Sequence, residues 1–278
     1  MNKFNNKITI ITGGASGIGQ ALSEELGKRG SIIIVADINQ EQAQNVAEKI
    51  NKHGGKAKPY LLDVTNSLNV EKMIQDTVNK FGRIDYIFNN AGISISGEIK
   101  NMDLKQWKQI LDVNLMGVIY GSTIAYEVMR KQEFGHIINT ASIAGLSPIP
   151  MATAYTATKH AVVGLSTAMR AEAADLGVKV SVVCPGAVRT NMFKNYIDVK
   201  NIKAKNNNPN LSSRFFMDPN KCARIILRGV ARNKGIITIS ALTKILWWLY
   251  RIHPQICIFL TRKVFNNVRS SEKKVNTI

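Results

Sequence analysis

Acidic residues are scarce in this chain, cysteines scarcer, and a long apolar run is missing; each shortage removes a class of function. The three cysteines, Cys184, Cys222 and Cys257, stand at wide spacings with no C-x-x-C pair. That pattern argues against a disulfide framework and a zinc site, leaving reduced core thiols as the expectation. His53, His136, His160 and His253 share no metal-ligand spacing, so no metal is expected. No charge-free apolar stretch approaches the roughly 20 residues that span a bilayer. The opening MNKFNNKITIITGG is too short in apolar residues for a secretory leader, which makes a cytoplasmic protein the expectation. Low-complexity blocks and fixed-period repeats are missing too. With 45% hydrophobic residues among 278, the chain can bury a sizeable core.

Against 19 acids stand 37 Lys and Arg, a net charge of +18. Such an excess raises nucleic acid or an anionic membrane as partners. It is concentrated at one end: from Lys221 to Ile278 there are twelve Lys or Arg and a single acid, Glu272. No interleaved aromatic and basic pattern or reading motif accompanies it, so nucleic acid is not expected.

Hydrophobic periodicity alternates short β-branched runs with helical patterns over the first 240 residues. The expected strands are 7–12, 31–36, 57–62, 84–88, 136–140, 178–183 and 236–240. Seven strands separated by helix-sized segments predict a doubly wound α/β fold, one parallel sheet with helices on both faces. The stretch 191–217 lacks periodicity and carries Asn206 to Pro209 at its centre. Its apolar ends, Met192, Phe193 and Tyr196 before and Phe215, Phe216 and Met217 after, read as a substrate lid.

The first expected strand ends in TGGASGIG, Thr12 to Gly19, ahead of a helix. Glycines there let backbone turn sharply and approach a pyrophosphate, whose charge the helix start attracts. Gly13, Ser16, Gly17, Ile18 and Gly19 are therefore candidate cofactor contacts. Asp37 follows the second strand, 18 residues beyond Gly19. A carboxylate in that place accepts ribose hydroxyls and repels a 2′-phosphate, favouring NAD over NADP; the competing reading is a cap on the next helix. In AYTATKHAVVG, Tyr155 precedes Lys159 by one helical turn. An ammonium on the same helix face favours the phenolate, so the tyrosine is expected to titrate below its usual value of about 10.

Together with LDV at Leu62–Val64, NNAG at Asn89–Gly92, Asn114 in DVNLMG, Ser142 in NTASIAG and CPGAVRT at Cys184–Thr190, these segments occur in one order. Over roughly residues 5 to 240 the chain resembles the short-chain dehydrogenase/reductase family. The resemblance implies a Rossmann fold and an alcohol/ketone oxidoreductase with a small-molecule substrate, whose catalytic residues are Asn114, Ser142, Tyr155 and Lys159. It implies that Tyr155 exchanges a proton with the substrate oxygen, Lys159 bonds the nicotinamide ribose, Ser142 holds the oxygen and Asn114 anchors a connecting water. Asp63, beside Val64, would bind the adenine amino group, and Asn90, Ala91 and Gly92 would line the adenosine ribose. Val188 and Thr190 would grip the carboxamide, and Pro185 and Gly186 would also contact the cofactor. Assembly as a homodimer or homotetramer is implied as well. Taken singly, Ser142 reads as a turn hydroxyl and Asn114 as a buried amide in a kinked helix. His136 and His160 are read as packing residues.

The expected organisation is one catalytic domain over 1–240 and a basic amphipathic extension over 241–278. At 100° per residue, Leu242, Ile245, Leu246, Leu249 and Ile252 form one apolar face, with Lys244 and Arg251 nearly opposite and Trp247 and Trp248 at its flank. Such a face either lies in the headgroup layer of an anionic membrane or covers protein. The reading favoured is an NAD-dependent dehydrogenase of an apolar secondary alcohol. Its alternatives are an NADPH-dependent 3-oxoacyl thioester reductase and a non-catalytic, membrane-associated dinucleotide-binding scaffold.

Overall fold

The structure, a computed structural model, describes residues 2–190, 197–198 and 216–275. Its strands are β1 (Ile8–Thr12), β2 (Ile32–Asp37), β3 (Lys56–Leu61), β4 (Tyr86–Asn89), β5 (Ile95–Ser96), β6 (Gly135–Thr140), β7 (Val178–Cys184), β8 (Ile197–Asp198) and β9 (Ile236–Thr238). Seven of them form one sheet in the order β3-β2-β1-β4-β6-β7-β9, every pair parallel. The two-residue β5 and β8 pair separately. Each expected strand is present with its ends moved by no more than two residues. The last one stops early because Ser240 caps the following helix, its hydroxyl accepting from Thr243 N at 3.1 Å.

The helices are α1 (Gly17–Lys28), α2 (Gln40–Lys52), α3 (Ser67–Phe81), α4 (Leu104–Leu111), α5 (Gly117–Gln132), α6 (Thr153–Glu172), α7 (Pro219–Ala231), α8 (Ala241–Ile252) and α9 (Pro254–Val275). Side-chain alternation along the strands sorts the core into two layers. Ile11, Ile33 and Val35 join Leu22 and Leu26 of α1, Val46 of α2 and Ile226 of α7. Ile10, Ile34 and Ile87 join Met73 of α3 and Met129 of α5 on the other face. The α1 pair is fully buried; truncating Leu22 to Ala would cost about 2–5 kcal/mol. Local signals start the helices as the sequence directs. Asn39, Asn66 and Asp218 accept from the first turns of α2, α3 and α7, and Asp103 closes a capping box with Gln106 on α4.

Strand order reverses beside β1, with β2 on one side and β4 on the other. The loops leaving β1 and β4 therefore diverge there and open a crevice at the carboxyl ends of the strands.

Of the expected lid, 191–196 and 199–215 lie outside the described residues. At its far end Met217 packs against the core and exchanges backbone hydrogen bonds with Ala187 and Arg189 at 3.0 and 2.9 Å. Beyond β9, α8 is anchored by buried Thr243 and by Trp247, which packs on Val162, Val182 and Cys184. Most of the stripe read from sequence faces away from that anchor. Leu242, Ile245 and Ile252 are exposed, so they do not cover the chain's own core. No helix among the described residues is long and apolar enough to cross a membrane.

Candidate active site

The turn between β1 and α1 is built for close backbone approach. Gly13 (φ 62°) and Gly17 (φ 53°) occupy the left-handed region. A Cβ on Gly13 would stand 2.9 Å from Ala91 Cα, and one on Gly19 would collide with the Gly13 carbonyl. The Thr12 hydroxyl accepts from Asn90 N (3.0 Å) and Ala91 N (3.1 Å), while Asn90 Nδ2 donates to the carbonyls of Thr12 (3.2 Å) and Gly13 (3.3 Å). Asn90 is thus a strut between the β1 and β4 loops. Ser16 sits at the N-cap of α1 without a side-chain capping bond, which leaves first-turn N–H groups to an anion.

Asp37 closes the same turn from β2. One carboxylate oxygen accepts from Ala15 N at 3.1 Å, the other from Asn39 N at 3.0 Å. The cap of α2 is Asn39, so the capping alternative for Asp37 falls. Asp63 accepts from the Thr65 amide and hydroxyl at 2.9 and 2.8 Å. Val64 is buried, and a Cβ on Gly117 would come within 2.9 Å of it. The glycine cradle and an unblocked helix start fit a dinucleotide phosphate, with Asp37 at the ribose end.

A cleft of about 660 Å³ runs along this rim. Gly13, Ser16, Gly17 and Ile18 line it, as do Asn90, Ala91 and Gly92. Ser142, Tyr155 and Lys159 belong to the same lining, with Pro185, Gly186, Val188 and Thr190. Gly19, Asp37, Asp63, Val64 and Asn114 are absent from its lining.

Asn114 is fully buried in a π-helical turn, Asp112–Met116, between α4 and α5. Its Oδ1 accepts from Ile93 N at 2.8 Å and its Nδ2 donates to Ile93 O at 2.9 Å. The amide thereby fixes the chain just after Gly92. Ser142 caps a 3-10 turn, accepting from Ala144 N at 3.2 Å. Its hydroxyl is near enough to the Tyr155 phenol for a hydrogen bond between them to favour the phenolate. Lys159 is buried, donates to Thr140 O at 2.9 Å and lies 5.6 Å from the centre of the Tyr155 ring.

The electrostatics differ from those expected of the Tyr155 and Lys159 spacing. Burial raises Tyr155 above its ordinary value, the Ser142 hydrogen bond opposes this, and Cys184 adds to the rise. The Lys159 ammonium is directed at the Thr140 carbonyl and is itself brought down to about 8 by burial. Beneath the pair, Cys184 is a buried thiol pushed up to about 12, an unreactive floor.

Sequence reasoning missed the apolar residues of the cleft lining, Ile93, Ile143, Ile149, Pro150 and Met151. Met151 is a non-glycine residue at φ 65°. The signal lay in SPIPM, whose two prolines mark a constrained loop. His160 bonds Thr156 O at 3.0 Å and His136 bonds Ser181 Oγ at 2.8 Å; neither lines the cleft. No group of three or more His, Cys, Asp or Glu converges as a metal site among the described residues.

A family model described as short chain dehydrogenase matches residues 7–201. The cyclohexanol dehydrogenase of Acinetobacter sp. strain SE19 is 36% identical over 205 residues, covering 73% of this chain and 81% of that protein. The meso-2,3-butanediol dehydrogenase of Serratia marcescens is 37% identical over 190 residues, 68% and 74% of the two chains. A short chain dehydrogenase/reductase from Burkholderia phymatum, solved in complex with NAD, superposes with a TM-score of 0.82 at 25% identity, covering 92% of this chain and 96% of that one. The chain belongs to the short-chain dehydrogenase/reductase family and is an oxidoreductase.

Proposed function

We propose that this oxidoreductase is an NAD-dependent dehydrogenase interconverting an apolar secondary alcohol and its ketone or aldehyde. The observation that carries the reading is the convergence of Ser142, Tyr155 and Lys159 on one cleft that the glycine cradle and several apolar side chains also line. When bound, a nicotinamide dinucleotide supplies or accepts the hydride. Gly13, Ser16, Gly17, Ile18 and Gly19 would hold its pyrophosphate, Asp37 and Asn90 to Gly92 the adenosine ribose, Asp63 with Val64 the adenine, and Pro185, Gly186, Val188 and Thr190 the carboxamide end.

Tyr155 is the acid–base group. A phenol kept protonated by burial donates to a ketone oxygen, and the Ser142 hydrogen bond eases the reverse transfer from an alcohol. Ser142 also donates to the substrate oxygen as charge develops there. Lys159 holds the nicotinamide ribose and, with a pKa near 8, remains mostly cationic at neutral pH. Asn114 acts as a positioning residue through Ile93 and as the anchor of a water leading from Lys159. Asp37 favours NAD because its carboxylate would meet a 2′-phosphate with like charge. The enzyme works in the cytoplasm as a dimer or tetramer of its own chain, paired through α5 and α6.

The test is a substrate screen with both cofactors. Lipophilic secondary alcohols with NAD should give the highest kcat/KM. A preference for small polyols overturns the apolar substrate, and tighter binding of NADPH overturns the role of Asp37 and favours a 3-oxoacyl thioester reductase. Bound dinucleotide with no turnover of any alcohol or ketone would leave a scaffold.

A further inference from the structure

Half of the sixteen large hydrophobic side chains exposed among the described residues lie on α8 and α9. Leu242, Ile245, Trp248 and Ile252 on α8 are 52–67% exposed. At 100° per residue they fall within about 120° of one another, on the side away from buried Thr243 and the anchoring Trp247. Phe259 and Leu260 extend the apolar surface along α9. Scattered exposed hydrophobics need no explanation, but a contiguous set on two packed helices does.

The charge around this surface has one sign. Lys244, Arg251, Arg262 and Lys263 are exposed beside it, and no Asp or Glu occurs from Ala241 through Ser271. None of the ion pairs among the described residues involves these four cations. A second copy seated on the same face by two-fold symmetry would bring these cations against their own kind. A surface of anionic headgroups over acyl chains complements both features: cations meet phosphates, apolar side chains enter the acyl boundary, and Trp248 sits between.

We propose that α8 and α9 dock this protein on an anionic phospholipid surface, lying in its plane without crossing it. The helix that carries this surface starts beside the cleft, with its opposite side toward the protein. Gly186, in the cleft wall, lies against the first turn of α8, where a Cβ would come within 3.0 Å of Thr243 Oγ1. The attachment is independent of the reaction assigned above and is measured without turnover.

The experiment is co-sedimentation of the full chain with vesicles of phosphatidylcholine alone or with phosphatidylglycerol. The expected result is partition onto the anionic vesicles at least about tenfold above the neutral ones, falling as salt is raised. Ile245→Asp with Phe259→Asp should lose about tenfold or more of that binding. Lys244→Glu with Arg251→Glu should reduce it on anionic vesicles only. Circular dichroism and dinucleotide binding of each variant establish that the fold is kept. Equal partition onto both vesicle types, or no loss in correctly folded variants of both kinds, overturns the proposal. So does sedimentation equilibrium showing a dimer that Ile245→Asp dissociates, because a second copy would then be the occupant.

Discussion

At the crevice end of the sheet the interior holds polar side chains, whereas α8 and α9 present apolar side chains to water. Both invert the usual partition, and for different reasons. Inside, Asn89 Nδ2 donates to Asn139 Oδ1 (2.8 Å) and Ser122 Oγ (3.2 Å), Ser122 donates to Asn139 Oδ1 (3.1 Å), and Asn139 Nδ2 donates to Ser166 Oγ (3.0 Å). This network ties β4 and β6 to α5 and α6 directly below the catalytic loops. Hydrogen bonds inside the chain meet most of its desolvation cost; among its atoms Asn89 Oδ1 is buried without a partner. The apolar surface of the extension has no such internal answer; its complement lies outside the chain. Buried polarity here reports on positioning, and exposed apolarity on contact.

The sharpest break in that comparison is Tyr155→Phe. It leaves the ring and removes the proton, so kcat should fall by about 10²–10⁴-fold while the dinucleotide dissociation constant stays nearly unchanged. Steady-state rates and a binding titration check this, and retained turnover would remove Tyr155 from the chemistry. Next in size is acid stability. Burial brings His136 down to about 3 from its ordinary 6.5. Between those values the unfolded chain binds the extra proton, so stability rises with pH through the window and is lost as pH falls below 6.5. The loss should reach about 3 kcal/mol by pH 4. His136→Gln should flatten that slope in urea titrations at a series of pH values. Asn139→Leu, which removes the acceptor shared by Asn89 and Ser122, should destabilise the fold by about 1–3 kcal/mol. Ile245→Ser should shift unfolding by no more than about 0.5 kcal/mol, as for any side chain outside the core. A larger loss would mean that the extension is core after all.

Most of the sheet was legible because its strands are short β-branched runs between helix-length segments, a pattern carried by local sequence. The glycine turn and the Tyr155 and Lys159 spacing were legible for the same reason. What escaped depends on distant contacts. Nothing near Asp37 says that Asn39 takes the cap, and nothing near Asn114 says that its amide is matched to Ile93, 21 residues away. The spacing of Tyr155 and Lys159 gave the neighbours but the wrong balance of forces, because burial of the whole pair outweighs one ammonium turned toward Thr140. Pro254 separates α8 from α9 and begins the second, its fixed φ suiting a first helical position.

Gly186 and Thr243 meet with no room for a methyl group between them, and Trp247 is wedged beside Cys184. Tugging α8 by an ångström would drag the strand end that carries Cys184 and Pro185 with it. The two helices therefore behave as a handle fixed to the reaction chamber. Cutting the chain after Ser240 would remove the support behind Gly186 as well as an appendage from the outside.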